Sequence, residues 1–139
     1  MKLIIIVLSV FTLTNCTKAR DNRKLLCNDF KIGKFQLINN QSKRKYLIER
    51  TKDFQIEQTF DLITNQKIKK DRYYKISWKN DCEYNLIVDT SKGEHDEFDT
   101  YINSIGGYNC LIAKIENKCA IVQTKVENEI SESSICKIE

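Results

Sequence analysis

Tyr73-Tyr74-Lys75-Ile76-Ser77-Trp78-Lys79-Asn80-Asp81-Cys82-Glu83-Tyr84-Asn85-Leu86-Ile87-Val88-Asp89 reads as two strands joined by a turn. Tyr74, Ile76 and Trp78 alternate with polar neighbours, and Tyr84, Leu86 and Val88 alternate against Glu83, Asn85 and Asp89. Alternation at period two marks a half-buried strand with one wet face. Both apolar sets have to reach the same core, so the phase must survive the turn. A three-residue loop at Lys79-Asn80-Asp81 preserves it and sets Ile76 opposite Tyr84. Asn and Asp tolerate the left-handed backbone that such a loop needs.

The same pattern extends upstream. Phe54, Ile56, Phe60 and Leu62 share one phase, expected to face the core, with Gln55, Glu57, Thr59 and Asp61 on the other. A three-residue loop at Thr51-Lys52-Asp53 puts Ile48 opposite Ile56, and a turn at Thr64-Asn65-Gln66 puts Leu62 opposite Ile68. In the first strand Phe30 and Ile32 lead, then Phe35 and Leu37 take over one residue out of step after Gly33, which predicts a β-bulge at the glycine. Downstream, residues 110–115 and 119–126 are apolar on both faces, as in a strand central to a sandwich or covered by another element. Residues 96–105 read as a short helix and 135–139 as a closing strand. About eight or nine short antiparallel strands result. The fold class is all-β: a small antiparallel meander that hides its edges by closing into a lipocalin-like β-barrel, expected to be mostly filled by side chains, with a two-sheet β-sandwich as the alternative.

The N-terminus fixes a different property. Met1-Lys2 precedes an apolar run from Leu3 to Leu13, broken only by Ser9 and Thr12, and Thr14-Asn15-Cys16 follows. A charge and then a short apolar stretch form a secretory signal peptide. The run falls short of the roughly 20 residues that span a bilayer. Its ending, Leu13-Thr14-Asn15-Cys16, resembles a bacterial lipobox. That resemblance implies that Cys16 becomes the first mature residue and carries acyl chains of the palmitate kind. The organisation is then a signal peptide over 1–15, a lipid-anchored basic tether over 16–26 and one domain over 27–139. Lys18, Arg20, Arg23 and Lys24 against Asp21 make the tether basic, while residues 27–139 hold equal numbers of acidic and basic side chains. A basic tether suits an anionic lipid surface. A domain without basic excess gives no reason to expect a nucleic-acid partner.

Five cysteines follow Cys16, at 27, 82, 110, 119 and 136. Export permits disulfides. The odd count leaves one thiol unpaired within the monomer, and two bridges among five cysteines can be drawn in many ways. A hairpin centred between Glu127 and Asn128 would set Cys119 opposite Cys136 and leave Cys110 free. No CxxC spacing occurs and His95 is the single histidine, so neither a metal site nor another cofactor is expected. His95 stands among carboxylates in Gly93-Glu94-His95-Asp96-Glu97-Phe98-Asp99 and reads as part of a solvated loop. Nucleophile elbows, zinc-protease motifs and phosphate loops are absent from the sequence, and the expectation is a protein that is not an enzyme. Arg50 shares the apolar phase of Tyr46 and Ile48, with Glu57 on the next strand. An inward Arg either holds an anionic ligand or caps a barrel end through a salt bridge. Arg50, Glu57, Tyr74 and Trp78 are the ligand-binding candidates, although aromatic residues at strand spacing are more often core.

Several stretches together resemble a family of small lipoproteins from flavobacteria and their relatives. They are Cys27-Asn28-Asp29-Phe30-Lys31-Ile32-Gly33-Lys34-Phe35, Ile48-Glu49-Arg50 with Gln55-Ile56-Glu57, Ile76-Ser77-Trp78, and Cys82-Glu83-Tyr84-Asn85-Leu86. Members are often labelled as a topoisomerase IV protein, for which this chain is far too short. The resemblance covers roughly residues 16–90 and implies an envelope lipoprotein with Cys27 paired to Cys82; it brings no catalytic residues. Gly33-Lys34-Phe35 also resembles the opening strand of lipocalins. Thr17-Lys18-Ala19-Arg20 lacks an aspartate at the second mature position, which in the lipoproteins it resembles implies an outer-membrane, periplasm-facing location. The expected function is a non-catalytic envelope interaction or structural module, held to the membrane by its N-terminal lipid and engaging an envelope protein. The alternative is a carrier of a small apolar or amphiphilic ligand inside the barrel.

Overall fold

The computed structural model describes residues 23–138. The signal peptide, Cys16 and most of the tether lie outside the described residues. A 3₁₀ turn at Cys27–Phe30 leads into eight strands: β1 (Gly33–Asn39), β2 (Arg44–Arg50), β3 (Phe54–Asp61), β4 (Arg72–Trp78), β5 (Glu83–Gly93), β6 (Tyr108–Glu116), β7 (Cys119–Val126) and β8 (Glu129–Lys137). One helix, α1 (Glu97–Ser104), interrupts the series between β5 and β6. Each strand pairs antiparallel with the next, and β8 returns to β1 through Phe35–Lys137, Gln36–Cys136 and Leu37–Ile135, so the meander closes into a barrel. That closure is one of three short stretches of the wall. β3 meets β4 only from Phe54 to Glu57, and β5 meets β6 only from Glu83 to Leu86.

The alternation in β4 and β5 has the expected parity. Tyr74, Ile76, Tyr84, Leu86 and Val88 are buried, whereas Lys75 and Glu83 are exposed. The connecting loop is Asn80-Asp81-Cys82, one position later than expected. The Asn80 side-chain oxygen accepts hydrogen bonds from the backbone N–H of both Cys82 and Glu83, each at 2.9 Å. The pairing therefore moves by two residues, Ile76 to Leu86, and phase is kept.

β3 has the opposite parity to the one expected. Gln55 and Thr59 are buried, Glu57 points inward, and Phe54 is 44% exposed. Ile48 faces Glu57 instead of Ile56 because the β2–β3 turn is one residue shorter: Thr51 N–H donates to the Phe54 carbonyl at 2.9 Å across Lys52-Asp53, and Arg50 pairs with Gln55. The outward apolar residues are covered by other means. The Lys92 ammonium lies 5.7 Å from the Phe54 ring and that of Lys45 5.2 Å from Phe60, and Ile56 pairs with Tyr73. Lysine stems shield apolar surface while their heads stay in water. Leu62 and Ile68 are not partners. Asn65 turns the chain at φ 57°, and the bridge falls at Phe60–Lys67.

Gly33 marks a junction and no bulge: the 3₁₀ turn ends before it and β1 starts there, at φ 132°. β6 and β7 bury one face each, with Cys110, Ile112, Ala120 and Val122 inside, so their two-faced apolar sequence lies in a barrel wall whose outer side is partly apolar. The short helix forms as read. Asp96 accepts from the Asp99 N–H and Asp99 accepts from the Asp96 N–H, a reciprocal cap. The helix is followed by Gly107 at φ 83°, where an added Cβ would lie 2.4 Å from the Leu86 carbonyl. Cys119–Cys136 and Cys27–Cys82 are both disulfides, and Cys110 is a buried free thiol.

Candidate functional site

One end of the barrel is plugged. Phe30, carried by the 3₁₀ turn, stacks on Phe35 at 5.6 Å, and the Cys27–Cys82 disulfide ties that turn to the β4–β5 loop. Arg50, 3% exposed, completes the plug. Its Nη1 donates to the Phe30 carbonyl at 3.0 Å, its Nη2 to the Tyr84 hydroxyl at 2.7 Å and its Nε to the Gln55 side-chain oxygen at 2.6 Å. The guanidinium also lies 4.6 Å from the Tyr84 ring centre. A buried charge requires this degree of satisfaction. Arg50 therefore takes the structural role, through neutral acceptors and without the expected salt bridge.

Gln55 passes the network onward. Its amide donates to Glu57 Oε1 at 2.8 Å, and the Tyr74 hydroxyl donates to Glu57 Oε2 at 3.2 Å. Burial pushes the Glu57 carboxyl above its ordinary range, with Arg72 and the two hydrogen bonds pulling the other way. Arg72 pairs with the buried Asp99 of α1, which also accepts from the Tyr108 hydroxyl at 3.4 Å. Burial likewise raises the Tyr74 and Tyr84 hydroxyls and the Cys110 thiol.

Beyond this network the barrel is hollow. A cavity of about 410 Å³ lies between the strands. Tyr46, Glu57, Tyr74, Tyr108, Thr124 and Ser131 give it a polar wall, and Leu37, Ile48, Leu86 and Cys110 an apolar one. The interior is thus filled at the plugged end only, contrary to the expectation of a mostly filled barrel. The parity of β3 gives the cavity its carboxylate, by placing Glu57 rather than Ile56 on the inner face.

No family model, curated protein or solved structure matches this chain.

Of the four ligand-binding candidates, Arg50, Glu57 and Tyr74 belong to one connected network, and Glu57 and Tyr74 line the cavity. Trp78 lies apart from the cavity, 4.6 Å from the Tyr84 ring with the Lys31 ammonium 5.2 Å from its own. His95 is exposed in the segment before α1. Among the described residues no group of three His, Cys, Asp or Glu could hold a metal ion, and no helix is long and apolar enough to cross a membrane. Gln55, Tyr46, Tyr108 and Asp99 were not singled out in the sequence. Gln55 was in principle legible: an inward Arg50 on a hairpin needs an acceptor directly across the ladder.

Proposed function

We propose that the domain is a ligand-binding barrel that holds one small amphiphilic molecule, tethered to the bacterial envelope through a lipid on Cys16. The cavity of about 410 Å³ carries this reading. Its size falls in the range of small-molecule sites, and its lining combines apolar surface with a few converging polar groups, as such sites do. A solid barrel would favour the interaction-module reading, which retains one supporting observation: Phe98 and Tyr101 of α1 and Ile105 just after it are exposed. The lipobox resemblance and the basic tether support the membrane attachment.

Extraction of the full chain from its native membranes, with solvent release and mass analysis of what it carries, tests the binding. The expected result is one small amphiphile near one per protein, lost when Thr124→Phe fills the cavity. A chain that carries nothing and takes up no neutral apolar dye overturns it. Cys16→Ser should leave the precursor unprocessed or release the protein from membranes; a wild-type protein that fractionates as soluble with unmodified Cys16 overturns the anchoring.

A further inference from the structure

The cavity lining narrows the chemistry of what enters it. Glu57 is the one lining residue that bears a formal charge when ionised at neutral pH, since neither Arg50 nor Arg72 borders the cavity. Arg50 directs its donors to Phe30, Tyr84 and Gln55, and Arg72 is paired with Asp99. Each carboxylate oxygen accepts about two hydrogen bonds. Oε1 takes one from Gln55 and Oε2 one from Tyr74, which leaves acceptor capacity on both for a donor in the cavity. Three tyrosines, Tyr46, Tyr74 and Tyr108, border the same space, and since the Arg72 guanidinium lies 5.8 Å from the Tyr74 ring, Tyr46 and Tyr108 are the rings left for a ligand. Aromatic faces attract organic cations, and a carboxylate among such rings is the usual setting for an ammonium group. An anionic head would meet the Glu57 carboxylate with no lining cation to offset it.

We infer that the ligand's head group is an organic ammonium, held by the Glu57 carboxylate and the tyrosine rings, with its apolar tail along Leu37, Ile48 and Leu86. The inference rests on the reading of the barrel as a ligand binder.

Calorimetry on the full chain in lipid nanodiscs, with empty nanodiscs subtracted, compares three matched probes: hexylammonium, hexan-1-ol and hexanoate. Hexylammonium should bind at least about tenfold tighter than the alcohol, as a charge-assisted bond does over a neutral one, and hexanoate weakest. Glu57→Gln should bring hexylammonium down to the level of hexanol and leave hexanol unchanged. Tyr46→Leu, which leaves the Glu57 network intact, should weaken hexyltrimethylammonium about fivefold and decides the matter should Glu57→Gln fail to fold. Hexanoate binding as tightly as hexylammonium, or an ammonium preference that survives Glu57→Gln, overturns the inference. If hexanol binds and hexylammonium does no better, the ammonium assignment falls while the cavity reading stands. If none of the three binds, both fall.

Discussion

Arg50 is the residue on which the plugged end depends. It is a cation almost without solvent, and each of its hydrogen bonds ends on a neutral oxygen. Truncation strands the Phe30 carbonyl, the Gln55 oxygen and the Tyr84 hydroxyl together, so Arg50→Met should destabilise the domain by about 2–4 kcal/mol in a denaturant melt. Arg50→Lys should not rescue it, because one ammonium cannot reproduce three planar donors; a lysine variant as stable as wild type would refute that role. Glu57 gives the opposite kind of prediction. Its folded carboxyl titrates above the ordinary 4.5, so its stabilising contribution is complete below that value and is lost as pH rises through the folded pKa. Asp29 and Asp96 behave in the reverse sense. Each is held low, Asp29 chiefly by its hydrogen bond with Arg23 and Asp96 by the Asp99 N–H, and their contributions are lost as pH falls below 3.8. The difference between wild type and Glu57→Gln isolates the first effect. The variant should gain relative stability as pH rises above 4.5, and a pH-independent difference would show that Glu57 titrates normally.

At the level of elements, alternation revealed where strands are but not which side faces in. In β4 and β5 nothing inside needs the mostly polar set, which includes Lys75, Ser77, Glu83 and Asn85, so the apolar set turns inward, as hydrophobic burial favours. In β3 the apolar set is equally regular, yet Gln55 and Glu57 go inside because Arg50 across the hairpin requires an acceptor and the inner space there is hollow. A turn shorter by one residue inverts the whole strand. That loop length is invisible to periodicity, and so was the carboxylate it brings to the cavity. The β7–β8 hairpin was legible through its cysteines: a turn centred between Glu127 and Asn128 sets Cys119 opposite Cys136, and the two are bonded there. Substitutions should expose the inverted strand directly. Phe54→Ser should change stability by less than about 0.5 kcal/mol, while Gln55→Leu, which leaves Arg50 Nε without its acceptor, should cost about 2 kcal/mol; the reverse ranking would restore the expected register. The disulfides should differ as well. Cys27–Cys82 spans 55 residues and Cys119–Cys136 spans 17, so replacing the first pair by serine should cost about 4 kcal/mol and the second about 3 kcal/mol.

For the whole molecule, two of the three short stretches of wall flank the same hairpin. β4 pairs with β3 from Arg72 to Lys75, whereas beyond Leu86 β5 leaves β6 and is held by β4 and by the Asn103 side chain of α1, which bonds both backbone groups of Val88. Native-state hydrogen exchange should therefore show local opening in β5 beyond Leu86, at the amide of Ile87, while the amides of β7 exchange only on global unfolding; equal protection throughout would mean a uniformly rigid wall. The closure between β1 and β8 has a further consequence. Every other pairing joins consecutive strands, and apart from β5–β6, which α1 separates, each can form as a hairpin within microseconds. Closure alone must bring together chain segments about a hundred residues apart, across the loop entropy of nearly the entire domain. The rate at which this chain folds is then set by three rungs: Leu37→Ala and Ile135→Ala should slow refolding, while changes in the β4–β5 loop should act mainly on unfolding.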